Sequence, residues 1–261
     1  MKVTRSGYYA WLMAQRSPTP RQVRDEMNAA RIKKVMEDSH YTYGARRIHR
    51  KLPDLGKCMI RRLMRKYGLY VRTRRKWRPQ TTNSNHTLPV YDNLLAQSFK
   101  AEQPNRVWVS DITYVRIGTA FAYLAIVLDL YDRKIVGWTL SRRIDATLVT
   151  DALKAAIVCR RPPHGLIVHS DRGSQYASYA YRQLLDGRFL GSMSRKGNPY
   201  DNACAESFFH SLKTEWLPFE RLLSYNQAYD SLYYYIELFY NRVRLHSAIG
   251  YLSPTKMIVA A

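Results

Sequence analysis

At Arg106 the periodicity of the chain changes, and that change limits the folds open to it. Val107, Val109, Asp111, Thr113 and Val115 alternate with Trp108, Ser110, Ile112 and Tyr114. This is the period of a strand with both faces used. Arg116-Ile117-Gly118-Thr119 turns the chain, Ala120 to Tyr131 is a long apolar strand, Asp132-Arg133 turns it again, and Lys134 to Leu140 is a third strand. Consecutive strands on short turns make an antiparallel meander. Ala146 to Cys159 then carries Leu148, Leu153, Ala156 and Ile157 in a helical pattern, closed by Arg160-Arg161-Pro162-Pro163-His164-Gly165. Leu166 to His169 is a short buried strand ending at Ser170-Asp171, a helix follows near Ser174 to Leu185, and Leu190 to Met193 is a last strand. Ser194 to Lys213 runs from a Gly/Asn/Pro turn into another helix, with Asp201 or Asn198 as its N-cap. The order β-β-β-α-β-α-β-α predicts an α/β fold, a mixed sheet flanked by helices.

The chain before Arg106 has a different grammar. An aromatic segment, S-G-Y-Y-A-W-L, leads to a Ser17-Pro18-Thr19-Pro20 loop. Arg21 to Glu37 reads as a helix with Val23, Met27, Ile32 and Met36 on one side. Ala45 to Leu52 and Lys57 to Tyr67 read as two short basic helices across a tight turn. They fit either a helix-turn-helix unit or a small basic bundle that reads no groove. Arg46, Arg47, Arg50, Arg61 and Arg62 on these helices, and Arg74, Arg75 and Lys76 in the basic run after them, are the candidate DNA contacts. The ranges expected are a basic helical region over 1–78, a polar linker over 79–104, an α/β core over 105–217 and a C-terminal helix with basic tail over 218–261. That last helix spans Ser224 to Arg244, with Tyr225, Tyr229, Leu232, Ile236, Phe239 and Tyr240 as a core stripe.

Charge narrows the partner. The chain has 261 residues and a formal net charge of +22. Self-repulsion on that scale is costly unless a polyanion neutralises it, so nucleic acid leads and an anionic membrane surface follows. Membrane insertion is excluded by the longest apolar run, Ala120 to Leu128, which is too short to span a bilayer. No secretory signal is visible at the N-terminus. The cysteines, Cys58, Cys159 and Cys204, are odd in number and widely spaced, which argues for a reducing compartment and against a disulfide framework, and His40, His49 and Cys58 lack the paired ligands of a zinc site.

Three acids stand out by position. Asp111 sits mid-strand in an apolar stretch, Asp171 sits just past a short apolar strand, and Glu206 sits on the helix entered from the Ser194 turn. At 100° per residue Asn202, Glu206 and Lys213 share one face of that helix, with His210 at its margin. Ala205, Phe208, Leu212 and Trp216 share the neighbouring face, with Phe209 between the two. An ordinary amphipathic helix would look the same. A carboxylate in or at the end of a core strand, however, is costly unless it is paired or bound to a metal. Three converging carboxylates repel by about 4 kcal/mol per pair at ~4 Å, and divalent cations remove that cost. Carboxylate-only ligation selects Mg²⁺ or Mn²⁺, and two such ions can drive phosphoryl transfer. Asp129 and Asp132, near the turn after the second strand, read as structural.

These stretches carry a resemblance. W-V-S-D-I-T-Y-V around Asp111, H-S-D-R-G-S-Q-Y around Asp171 and the Ser194–Lys213 stretch around Glu206 resemble the D-D-E core of bacterial insertion-sequence transposases, related to retroviral integrases. The subgroup is the one read from two overlapping frames, and this chain looks like its downstream product. S-H-Y-T-Y-G-A-R-R-I-H-R-K-L resembles that group's helix-turn-helix segment, and Y-N-R-V-R-L-H-S-A-I-G-Y-L-S-P its C-terminal signature. The third helix looks shorter than the common pattern, and Leu245 stands where Pro is usual.

The resemblance implies an RNase H-like core that cleaves DNA and transfers strands with two Mg²⁺ or Mn²⁺ ions. Asp111, Asp171 and Glu206 match the metal ligands, Asp111 bridging both ions. Lys213 matches the basic position that meets DNA near the site. His169, Asn202 and His210 are candidates for supporting those ligands or touching DNA. Double-stranded DNA, further copies of the chain and an upstream-frame protein are the implied partners, with a cytoplasmic, nucleoid-associated location in a bacterium. A DNA-binding regulator without catalysis, or a nuclease without strand transfer, are the competing readings.

Overall fold

A computed structural model describes residues 4–16, 18–73, 88–195 and 202–259, the side chains of 14–16 excepted. The chain divides into two units, Met1–Thr73 and Arg74–Ala261.

The first unit is helical: α1 Arg5–Arg16, α2 Pro20–Asp38, α3 Ala45–Lys51 and α4 Lys57–Lys66. The aromatic segment expected near the N-terminus is thus a helix, with Tyr8, Tyr9, Trp11 and Met13 exposed on it. Thr19 starts α2 with a reciprocal cap: its hydroxyl accepts from Gln22 N–H, and the Gln22 side chain accepts from Thr19 N–H. The buried face of α2 corrects the expected stripe. Ile32 and Met36 are buried, but Val23 and Met27 are exposed, and Asp25 and Ala29 take their places. Asp25 can be buried because Arg62 on α4 grips both its oxygens, at 2.7 and 2.8 Å, and Lys66 adds a contact at 3.2 Å. Ile48, Ile60 and Leu63 complete this small core.

The second unit is built on a five-stranded sheet in the order β3-β2-β1-β4-β5. The strands are β1 Val107–Ile117, β2 Ala120–Asp129, β3 Ile135–Ser141, β4 Ile167–Ser170 and β5 Leu190–Met193. β1, β2 and β3 form the antiparallel meander, and β4 and β5 run parallel to β1. This is the mixed sheet flanked by helices that the element order predicts and the layout that an RNase H-like core implies.

Alternation along β1 and β2 feeds two cores. Trp108, Ala125 and Val127 pack with α5 Ala146–Arg160 and α6 Tyr179–Leu185. Val109, Val115, Leu124 and Ile126 pack with α7 Ala203–Ser211 and α8 Tyr225–Tyr233. Gly137 permits the close seating of α5 on β3, since a Cβ there would lie 2.3 Å from the Ala152 carbonyl. α6 is shorter than expected because Ser178, not Ser174, caps it.

The polar linker expected over 79–104 is, from Leu88 on, part of this unit. Leu95 is buried, Phe99 packs on the core, and Tyr91 lies where a Cβ on Gly191 would be. The segment also bonds β5 through Leu94 N–H to Ser192 and Met193 N–H to Asp92, covering a sheet edge.

Both long helices near the C-terminus change pitch. α7 continues into a π turn, Leu212–Trp216, and α8 into another, Tyr234–Tyr240. The extra residue per turn shifts the helix faces. Ahead of the second π turn, Tyr229 of the expected stripe is exposed, and Tyr235, which the stripe omits, is fully buried three residues after buried Leu232. A final short helix, α9, spans Pro254–Val259. No described helix is long and apolar enough to cross a membrane.

Candidate active site

β1 and β4 pair through Val109 and His169, and Asp111 and Asp171 each lie two residues beyond that pair. Parallel register puts the two acids at the same end of neighbouring strands and, by alternation, on one face. The ladder with β4 ends at Val109, so β1 carries Asp111 past its last β4 partner. The Ile112 N–H donates to Asp111 Oδ1 at 2.8 Å, and the Gly173 N–H to Asp171 Oδ1 at 3.0 Å. A Cβ on Gly173 would come within 3.0 Å of that same Asp171 oxygen, so the glycine gives the carboxylate its room.

α7 delivers the third acid. The expected N-caps, Asp201 and Asn198, fall outside the described residues, and Asn202 occupies the cap position. Its side chain makes no cap bond; it donates instead to the Ser110 carbonyl at 3.2 Å. The start of α7 is thus fastened to β1 beside Asp111. Ala205, Phe208 and Phe209 bury the inner face, leaving Glu206 exposed one turn on. Lys213 follows in the π turn, its Nζ 3.7 Å from the centre of the Tyr114 ring.

Electrostatics link these groups. Burial pushes the Asp111 carboxyl well above the usual carboxylate range, the charge of Asp171 pushes it further, and that of Glu206 adds to it. The Ile112 N–H and the Lys213 ammonium pull the other way. The Tyr176 phenol, buried beneath and bonded to Ser110 Oγ at 3.1 Å, is raised well above its ordinary value by burial and then by Asp111 and Asp171. Three acids from separate elements and one lysine therefore share one electrostatic neighbourhood. Among the described residues, no three His, Cys, Asp or Glu side chains are drawn into a ready-made ion cage. The donor set nonetheless suits a hard cation, being carboxylate oxygens only and strongly self-repelling.

The other expected residues are placed as follows. His169 is fully buried, with Nδ1 2.9 Å from Ser192 Oγ and Nε2 3.1 Å from Ser194 Oγ, so it knits β4 to β5 beneath Asp171. His210 is exposed, and its carbonyl accepts from Thr214 at 2.7 Å. Asp129 accepts from the N–H groups of Asn105 and Tyr131, and Asp132 pairs with Arg160, so both are structural. In the first unit Arg46, Arg50 and Arg61 are exposed, and Arg47 stands over the Tyr43 ring. Arg62 is exposed as well, with its guanidinium bonded to both oxygens of Asp25. Arg74, Arg75 and Lys76 lie outside the described residues.

Tyr114 is the site residue that sequence reasoning misses. Alternation assigns it to the opposite face of β1 from Asp111. Lys213 meets it nonetheless, while remaining within electrostatic reach of Asp111.

Comparison with known proteins follows the same outline. The family described as integrase core domain matches residues 101–199, a second integrase core domain family matches 190–254, and an HTH-like domain matches 22–77. The insertion element IS600 uncharacterized 31 kDa protein of Shigella sonnei is 44% identical over 257 residues, covering 97% of this chain and 93% of the relative. Transposase InsF for insertion sequence IS3A of Escherichia coli (strain K12) is 41% identical over 260 residues, covering 97% of this chain and 90% of the relative. Among solved structures, a chain of the simian T-cell lymphotropic virus intasome in complex with PP2A regulatory subunit B56 gamma is 15% identical at a TM-score of 0.48, covering 87% of this chain and 73% of that one.

Proposed function

The chain belongs to the insertion-sequence transposases built on an integrase core, and from that membership we propose that Asp111, Asp171 and Glu206 are its catalytic carboxylates. The observation that carries this reading is placement: Asp111 and Asp171 each lie two residues beyond the paired Val109 and His169, Asn202 fastens the start of the Glu206 helix to Ser110 beside Asp111, and the charges of Asp171 and Glu206 both raise the Asp111 carboxyl. Two Mg²⁺ or Mn²⁺ ions, which Asp111, Asp171 and Glu206 would hold, would supply an activated water and charge neutralisation at the phosphate.

The chain's own residues bind and orient. Lys213 takes a non-bridging phosphate oxygen of the scissile bond, with the Tyr114 ring beneath its ammonium. Asn202 holds α7 against β1, so that Glu206 faces Asp111 without a search. In the first step water attacks a phosphodiester at the element's end, the bond to the 3′ oxygen breaks, and a 3′-hydroxyl is released. In the second that hydroxyl attacks a target phosphodiester, and the target's own 3′ oxygen leaves. No protein nucleophile is used. The helical first unit supplies backbone contacts through Arg46, Arg47, Arg50 and Arg61, with Arg74, Arg75 and Lys76 in the run that follows. Holding two DNA ends calls for more than one copy of the chain, and for an upstream-frame partner where end recognition is incomplete. The bacterial nucleoid is the place where this substrate is found.

A joining assay tests the reading. A labelled duplex carrying the terminal sequence that flanks the coding region, extended past the element's end by flanking DNA so that the scissile phosphodiester is intact, is incubated with a plasmid target and Mg²⁺ or Mn²⁺. Wild type is expected to give cleaved and joined products. Glu206→Gln is expected to give neither while still shifting the duplex on a gel. Joined product from the Gln variant would sink the assignment.

A further inference from the structure

The C-terminal turn of the chain grips the helix extension that carries Lys213. Arg244 is 3% exposed. Its Nε donates to Glu215 Oε2 at 2.9 Å, its Nη2 donates to Glu215 Oε1 at 2.8 Å, and Nη2 also donates to Ser211 Oγ at 3.1 Å. Ser211 and Glu215 stand on either side of Lys213, two residues away in each direction. Ser211 ends α7, and Glu215 lies inside the π turn closed by Leu217 N–H on the Leu212 carbonyl. A π turn is an uncommon conformation that tends to persist where surrounding contacts hold it. The planar guanidinium fork is well suited to hold it: its donors are fixed relative to one another, so the separation of Ser211 and Glu215 is fixed too.

We propose that Arg244 is a positioning residue for the reaction: its fork across Ser211 and Glu215 sets the π turn, and the π turn places the Lys213 ammonium between the Tyr114 ring and Asp111. The fork bonds Ser211 and Glu215, and it acts through Lys213. The inference rests on the proposed role of the carboxylates, so its test separates the two.

Two readouts are needed on the full chain. The first uses no metal and no DNA. With ¹³C-labelled lysine, the Lys213 ε-methylene signal, identified by its loss in Lys213→Ala, is expected upfield of the other lysines because it lies on the Tyr114 ring. Tyr114→Ala should return it to the bulk position. Glu215→Gln and Arg244→Lys should move it most of the way. The second readout is single-turnover cleavage of the labelled duplex. Lys213→Ala and Glu215→Gln are each expected to cost about tenfold in rate, and the double variant no more than about threefold beyond Lys213→Ala, because both act through one group. Arg160→Lys, at the buried ion pair with Asp132, is expected to multiply with Lys213→Ala instead. Ser211→Ala replaces Arg244→Lys should the lysine variant fail to fold.

A Lys213 signal that stays upfield in Glu215→Gln and in the Arg244→Lys or Ser211→Ala variant overturns the proposal. So does a Glu215→Gln loss that multiplies with that of Lys213→Ala. Wild-type inactivity, or a Glu206→Gln variant that still cleaves, counts against the carboxylate reading instead, and the lysine signal then judges the fork by itself.

Discussion

The side-chain amide of Asn202 donates to the carbonyl of Ser110 at 3.2 Å, across 92 positions of sequence. The bond ties the first turn of α7 to β1 one residue before Asp111. Asn202→Ala removes a buried donor and leaves the Ser110 carbonyl to find another. We expect about 1–2 kcal/mol of lost stability. Cleavage should fall further than stability explains, by about 10- to 100-fold, because a misplacement on the order of 1 Å is enough to cost that much. Thermal melts and single-turnover rates on the same preparations check the split. Equal rates in variant and wild type would show that the α7 register is set elsewhere.

Asp25 predicts the acid limit of the helical unit. Its side chain is nearly inaccessible, and hydrogen bonding by Arg62, then Lys66, outweighs its burial and holds the carboxyl far below the usual range. A depressed carboxylate contributes stability that is present above the unfolded value of about 3.9 and lost as pH falls through the folded one. The helical unit should therefore weaken below about pH 4, and Asp25→Asn should be weaker at neutral pH and flatter toward acid. Circular dichroism melts from pH 7 downward test this. An Asn variant with the wild-type acid slope would remove Asp25 from the account.

Arg62 and Arg46 should separate folding from DNA contact. Arg62 is committed to Asp25 and Arg46 is exposed on α3. Arg46→Ala is expected to lower the slope of log affinity against log salt by about one and leave the melting curve in place. Arg62→Ala should do the reverse, destabilising the unit with little change in slope. Gel-shift titrations at several salt concentrations distinguish them.

What was legible in the chain followed from regular periods. Alternation along Val107–Val115 and the apolar run after Ala120 specify the meander, because period two has one structural meaning. Asp111 and Asp171 stand out in the sequence because a charge in or at the end of a core strand is costly, whereas Glu206 lies on an exposed helix face and is singled out by the resemblance. Features that depend on partners far along the chain were not legible. Asp25 looks like a solvent-facing helix acid until Arg62, 37 positions on, is folded against it. The π turn at Leu212–Trp216 is invisible to a projection that assumes 100° per residue, so that projection gives no sign that Lys213 meets Tyr114. Leu95 and Phe99 read as linker because isolated apolar residues among polar ones carry no period, yet both reach the sheet.

Asp129 gives a pH dependence of the opposite sign to that of Asp25. Burial, then the neighbouring Asp132, push its carboxyl up to about 6, against the pull of the Tyr131 and Asn105 N–H groups. Between the unfolded value of about 4 and the folded one, the native chain holds more protons than the unfolded chain, so stability falls as pH rises. The shift corresponds to about 3 kcal/mol across that window. Asp129→Asn loses an acceptor and so carries a constant penalty, but it cannot titrate. The stability difference between wild type and variant should therefore change by that order between pH 4 and pH 7, in favour of wild type at the acid end. Urea titrations at each pH measure it, and a pH-independent difference would place the titration on another group.

Metal binding should be visible as stability before any chemistry is measured. Without a cation, Asp111 carries the cost of burial and of two carboxylate neighbours, with Lys213 and one N–H to offset it. An ion held by the carboxylates relieves that cost only in the folded chain, so it stabilises by mass action. Mn²⁺ at about 100 times its dissociation constant is worth about 2.7 kcal/mol, roughly 5–10 °C in a domain of this size. Asp111→Asn should lose most of that shift, because Asp111 is the acid on which the other two converge. Glu206→Gln should keep more of it, because Glu206 is exposed. Melting curves against Mn²⁺ concentration, with K⁺ at matched ionic strength as the screening control, measure the effect. A shift in wild type no larger than that in Asp111→Asn would mean that the ion sits elsewhere on the chain, and the carboxylate assignment would fall with it.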